Sequence, residues 1–109
     1  MNQPMMVVAV HIEQTKQKVY SVSLVATMNL FFTKFTAVHK ITSKDTIAQT
    51  VEKALIECIE TFKSKHSRYP IRVFLFRSGS DAEEYLDLEK AKNEVRLRGG
   101  ELTYITLYN

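Results

Sequence analysis

The sequence predicts one α/β domain: a mixed five-stranded sheet, with strands 1–3 as an antiparallel meander, strands 4 and 5 parallel, and two helices. Three observations carry this. Residues 71–76 are apolar at both parities apart from Arg72, as a strand reads when covered on both faces, and residues 5–13 show the same pattern. Between these runs, Ile47, Val51, Ala54, Leu55, Cys58, Ile59 and Phe62 recur at steps of three and four, which is one face of a helix. A chain of 109 residues is long enough for one sheet with helices and too short for two cores.

Taken in order, residues 5–13 form the first strand and residues 14–18 a polar turn. Residues 19–27 form the second strand, with Tyr20, Val22, Leu24 and Ala26 on its core face. Met28 and Asn29 supply a tight reversal, since Asn tolerates positive φ. Residues 30–41 then alternate as a third strand, and three strands with short connections read as a meander. Thr42 and Asp45 have the spacing of a helix start, a hydroxyl followed three residues on by a carboxylate. The helix ends in the cationic Lys63, Lys65 and His66, favourable at a carboxyl terminus, and Pro70 prevents its continuation.

The stretch from Tyr69 to Tyr85 organises the chain. It holds the fourth strand, a turn, and the capping-box pair Ser80 and Glu83 that opens a second helix. Tyr85, Leu88, Ala91 and Val95, with Leu86, give that helix its apolar stripe, Gly99 and Gly100 end it, and residues 102–108 form the last strand. Helical crossovers imply parallel pairing with right-handed connections, so the first and fourth strands belong side by side at the centre and the third at an edge. Loops at the carboxyl ends of central strands are where sites form in such sheets, which directs attention to residues 77–81.

Composition narrows the function classes. Apolar residues at 45% and charged residues at 25% argue against disorder. The net charge of +3 is compatible with nucleic acid without requiring it. Cys58, the single cysteine, falls on the apolar side of the first helix and reads as a buried structural thiol. No apolar run approaches the ~20 residues of a membrane span, and no signal-peptide pattern is present. No membrane partner is expected, and the location is intracellular, cytoplasmic or nuclear.

This succession of elements is that of the ribonuclease H-like fold. Tyr69-Pro followed by Arg-Val-Phe-Leu-Phe-Arg-Ser-Gly79 resembles the Piwi-domain pattern, in which Tyr-Pro-x-Arg leads into an apolar strand ending in Arg-Asp-Gly. Residues 5–13 and 22–29 resemble the first two Piwi strands. The resemblance spans essentially the whole chain and the first half of a Piwi domain. It implies a family of nucleases whose carboxylates hold two divalent cations across a scissile phosphate. Their first-strand and fourth-strand acids would match His11 and Ser78 here. Their inserted glutamate would fall near Asp45 or Thr46, and their last ligand beyond residue 109. Slicing, with its metal cofactors, is therefore expected to be lost, the chain is expected not to be an enzyme, and no cofactor is expected.

Two readings stay open. The favoured one is a catalytically inactive Piwi-like module acting through protein contacts, as a homodimer or an adaptor, in small-RNA-mediated gene silencing. The alternative is an RNA-binding or nuclease module with a rearranged site. For that alternative, His11, Glu13 and Asp81 form a conceivable metal set, although their spacing is not metal-specific. His39 and His66 read as solvated. Lys63, Lys65, Arg68 and Arg72 are the candidate contacts to an RNA backbone, more simply read as a solvated face. Phe31, Phe32 and Phe35 crowd the edge strand. Either a helix covers Phe32 and another layer covers Phe31 and Phe35, or Phe31 and Phe35 form an interaction surface. Met1 and the completeness of the five-strand unit favour a stand-alone chain over a fragment of a longer Argonaute.

Overall fold

The computed structural model describes residues 4–29, 34–78 and 86–107. Its strands are β1 (Met5–Lys16), β2 (Val19–Thr27), β3 (Phe35–Ser43), β4 (Arg72–Ser78) and β5 (Glu101–Leu107), and its helices are α1 (Ile47–His66) and α2 (Glu89–Leu97). The strand order is β3-β2-β1-β4-β5. β1, β2 and β3 pair antiparallel, and β1–β4 and β4–β5 pair parallel. The predicted mixed sheet is therefore present, with β1 and β4 adjacent at its centre and β3 at an edge.

Handedness decides where the helices go. The crossover from β3 to β4 and that from β4 to β5 both advance in the same direction across the sheet. Right-handed connections that advance the same way must lie on the same face. Accordingly, one core cluster joins the buried residues of both helices to Met6, Val8, Val10 and Ile12 of β1, Val22, Leu24 and Ala26 of β2, Val73 and Leu75 of β4, and Leu102 of β5. All these strand residues share one parity. On the other parity, Met5, Val7, Phe74 and Phe76 of β1 and β4 are half-buried, and among the described residues no element lies over them.

Element boundaries differ from the sequence reading in several places, four of which have a clear local cause. β1 runs on to Lys16 through an irregularity at Gln14/Lys16, and the turn shrinks to Gln17 and Lys18, with Lys18 at φ 64°. Polar residues extend this hairpin because backbone pairing needs no apolar side chain. The tight reversal at Met28 and Asn29 is replaced by a longer connection, with the Met28 N–H bonded to the Lys34 carbonyl and the Lys34 N–H to Asn29 Oδ1. β3 accordingly begins at Phe35. At the start of α1, Thr42 belongs to β3, and a 3-10 turn at Lys44–Thr46 precedes the helix. Thr42, Thr46 and Thr50 link their hydroxyls there, at 2.6 and 2.9 Å, in place of the expected hydroxyl cap. Lastly, α2 starts at Glu89, whose N–H bonds Asp87 Oδ1, whereas Leu86 and Leu88 are buried ahead of it. Ser80, Glu83 and Tyr85 lie outside the described residues.

The C-cap of α2 follows its glycines. Gly99 adopts φ 82° and the Gly100 N–H bonds the Val95 carbonyl at 3.0 Å, so the chain reverses directly into β5. On the core side, the Tyr104 hydroxyl is buried and has no hydrogen-bond partner among the described residues. An unpaired buried polar group costs about 1–3 kcal/mol. Tyr104→Phe is therefore expected to keep the fold and raise the urea midpoint, and a lower midpoint would show that the hydroxyl contributes.

Cys58 is fully buried on α1, as its place in the stripe predicts. Desolvation, and secondarily the Glu57 carboxylate, push its thiol from 9.0 up to about 11. The folded state thus holds this proton more tightly than the unfolded chain does. Its contribution is complete below pH ~9 and is lost as pH rises towards ~11. Urea titrations of the protein and of Cys58→Ala should show their stability difference shifting against the native protein over that window, with no shift below it.

Candidate functional site

The carboxyl edge of the sheet brings together only part of what the sequence nominated. β1 and β4 pair in register up to Val10 opposite Arg77, so one further step sets His11 level with Ser78 on the neighbouring strand. His11 lies on the face away from the helices, with Nε2 3.7 Å from Glu13 Oε2 and both side chains about two-thirds exposed. Arg77 and Ser78 belong to β4 itself and not to a loop, and Arg77 is buried. Asp81 lies outside the described residues, as do the remaining positions of that loop.

Asp45 sits elsewhere. It lines a hollow of about 200 Å³ with Ala48, Gln49 and Glu52 of α1 and with Asp87, Lys90 and Ala91 at the start of α2. That hollow is on the helix side, so the sheet stands between Asp45 and His11. Among the described residues, no three His, Cys, Asp or Glu side chains are grouped to hold a metal ion.

The nominated cations are also divided. Lys63 places its ammonium 4.5 Å from the centre of the Tyr69 ring, on the helix side. Arg72 is on the opposite face, 3.5 Å from Glu101. Lys65 and Arg68 are exposed at the end of α1. Tyr69 itself is a clamp. Its hydroxyl donates to both oxygens of Glu60 at 2.8 and 3.1 Å, and Glu60 pairs with Arg98 at 3.1 Å, which in turn pairs with Glu94 at 2.8 Å. The Tyr69 hydroxyl, followed by Arg98, holds the Glu60 carboxyl below its ordinary range. Bonding to Glu94 raises the Arg98 guanidinium. This network ties the ends of α1 and α2 to the lead-in of β4, a structural role for the Tyr69-Pro pair. His66 is exposed, as read from sequence, and is also engaged: its Nε2–H donates to the Met28 carbonyl and its ring packs on Phe62 at 4.4 Å.

The largest unexplained surface is the sheet face away from the helices. Across it run aligned rows, among them Ala37, Val25, Ala9, Phe76 and Ile105, and next to it Phe35, Thr27, Val7, Phe74 and Thr103. Val25, Phe35, Ile41 and Leu107 on this face are 44%, 57%, 61% and 49% exposed. Phe35 thus occupies the edge as the sequence expected, with no covering layer among the described residues, while Phe31 and Phe32 lie outside them. The sequence signal for the whole face was available: Met5, Val7, Val25, Phe74 and Phe76 are apolar at the parity the helices do not use.

No family model matches the chain and no curated protein matches it. Solved structures do. Drosophila Piwi superposes with a TM-score of 0.71 at 16% identity, over 96% of this chain and 16% of that one. Kluyveromyces polysporus Argonaute with a guide RNA gives 0.72 at 19%, over 98% of this chain and 15% of that one. Marinitoga piezophila Argonaute, in complex with 5′ OH guide RNA and target DNA, gives 0.74 at 16%, over 95% and 16%. At these identities the likeness is one of fold: the chain has the ribonuclease H-like architecture of a Piwi domain, as its sequence led us to expect, and spans a small part of the length of those proteins.

Proposed function

We propose that this chain is a Piwi-like module that has given up phosphodiester cleavage and works through protein contacts, as a dimer or an adaptor, in small-RNA-mediated silencing inside the cell. The observation that carries this is the apolar sheet face that no described element covers, since contiguous exposed apolar surface rimmed by polar residues marks an interaction site. Support for the loss of cleavage comes from His11, which stands where the Piwi resemblance puts a metal-binding acid, and from Asp45, which is on the wrong side of the sheet to assist it. The tie to small RNA rests on the fold shared with Argonautes crystallised with guide strands.

Light scattering with and without a short single-stranded RNA, at low and moderate salt, tests the reading. The expected result is a mass that RNA does not change, together with no cleavage of RNA in magnesium or manganese. RNA binding that weakens steeply with salt would favour the alternative, an RNA-binding module using Lys63, Lys65 and Arg68.

A further inference from the structure

We propose that the uncovered face binds a second copy of this chain, the two sheets packing face to face about a two-fold axis that crosses the strands at the level of Ala9. This deepens the protein-interaction reading and rests on it. The middle row, Ala37, Val25, Ala9, Phe76 and Ile105, carries no charge and alternates small with large side chains around Ala9. Packed sheets cross at about 30°, which lets Val25 and Phe76 lean into the space above the second copy's alanines.

The charges on this face fit a two-fold axis. Arg72, which also pairs with Glu101 beside it on β5, lies level with Met5, four residues below Ala9, and Glu13 lies four residues above it. Rotation about the Ala9 row brings each Arg72 to the level of the second copy's Glu13, one strand across and within reach of a long side chain. Opposite charges set at equal distances on either side of an apolar band are what an isologous contact requires, because each patch must complement itself.

The axis fixes how much of the face is shared. Turned about the Ala9 level, β1 overlaps its copy from Met5 to Glu13 and each other strand over about five residues, about 460 Å² at the usual strand spacing and rise. Two copies would bury about 900 Å², the size of a weak, reversible dimer.

The test uses the full chain with Ala9→Cys, which adds an accessible thiol while Cys58 stays fully buried, and a short bismaleimide. We expect about twice the 12.6 kDa of one chain by light scattering and efficient cross-linking of Ala9→Cys to its own copy. His39→Cys, at the centre of β3 but one row off the axis and so about 13 Å from its copy along the strand direction, should cross-link poorly. Arg72→Glu or Glu13→Arg alone should weaken the dimer several-fold, and the two together should restore it. A dimer that cross-links through His39→Cys and not Ala9→Cys would overturn the face contact in favour of β3 edge pairing. A monomer indifferent to RNA would overturn the second copy as partner while leaving the protein-interaction reading standing. A monomer that binds the RNA would overturn both.

Discussion

Phe62→Ala is expected to lower the free energy of unfolding by about 3–5 kcal/mol, the usual cost of emptying a buried aromatic site. Phe62 is the last core residue of α1 and among the largest buried side chains. Its ring also supports the His66 imidazole, which donates to the Met28 carbonyl. Losing it therefore opens a cavity and loosens the link between the end of α1 and the turn after β2. Domains of this size hold about 5–15 kcal/mol in total, so the variant should be largely unfolded at moderate urea. Ile59→Val, one turn earlier, removes one methylene and should cost about 0.5–1.5 kcal/mol. A Phe62→Ala loss below that of Ile59→Val would show that the site collapses around the vacancy.

Gly100→Ala is expected to cost about 1–3 kcal/mol, by crowding rather than by loss of contacts. A Cβ at Gly100 would stand 2.7 Å from the Pro70 carbonyl oxygen and 3.3 Å from that of Ile71, with Val95 Cγ1 at 3.1 Å. Two of these three are backbone atoms and cannot swing aside as a side chain can. The same segment is pinned by the Ile71 N–H to the Pro4 carbonyl and by the Glu101 N–H to the Ile71 carbonyl, so relief would break pairing between β4 and β5 at its first rung. Gly99→Ala meets open space, and its cost is backbone strain alone, about 1–2 kcal/mol for a left-handed φ. Chemical denaturation of both variants measures the comparison. A Gly100→Ala chain as stable as the parent would mean that the lead-in to β4 shifts freely.

Much of the fold was legible because its signals are periodic. The bounds of β2, the apolar face of α1 and the adjacency of β1 and β4 follow from parity and from steps of three and four. Boundaries failed where two signals overlapped. Leu86 and Leu88 fit the spacing of the α2 stripe, yet Asp87 caps the helix after them, and a burial pattern cannot distinguish a buried extended segment from a helical turn. Asn29 was read for its tolerance of positive φ, whereas its side chain serves as an acceptor. The site was less legible. Strand adjacency correctly set His11 beside Ser78, but placing Asp45 required knowing on which side α1 crosses. Two-sided apolarity shows that the second face favours contact without showing what supplies it, and among the described residues no element does. The direction of the two crossovers, already implicit in the predicted strand order, would have decided the matter.

The unequal lengths of the central strands have a consequence for motion. From Val8 to Val10, β1 is held by a ladder on each side, to β2 and to β4, and its amides are released only when the whole domain opens. Beyond the end of β4, β1 continues to Lys16 with β2 as its single neighbour, and β3 accompanies β2 to the same height. The upper part of the meander is thus a three-stranded ribbon cantilevered from a five-stranded base. Its Ile12–Val22 rung is still held by the core, so only the hairpin tip beyond that rung can fray and rejoin without disturbing the base, and Glu13 stands at the root of that compliant tip.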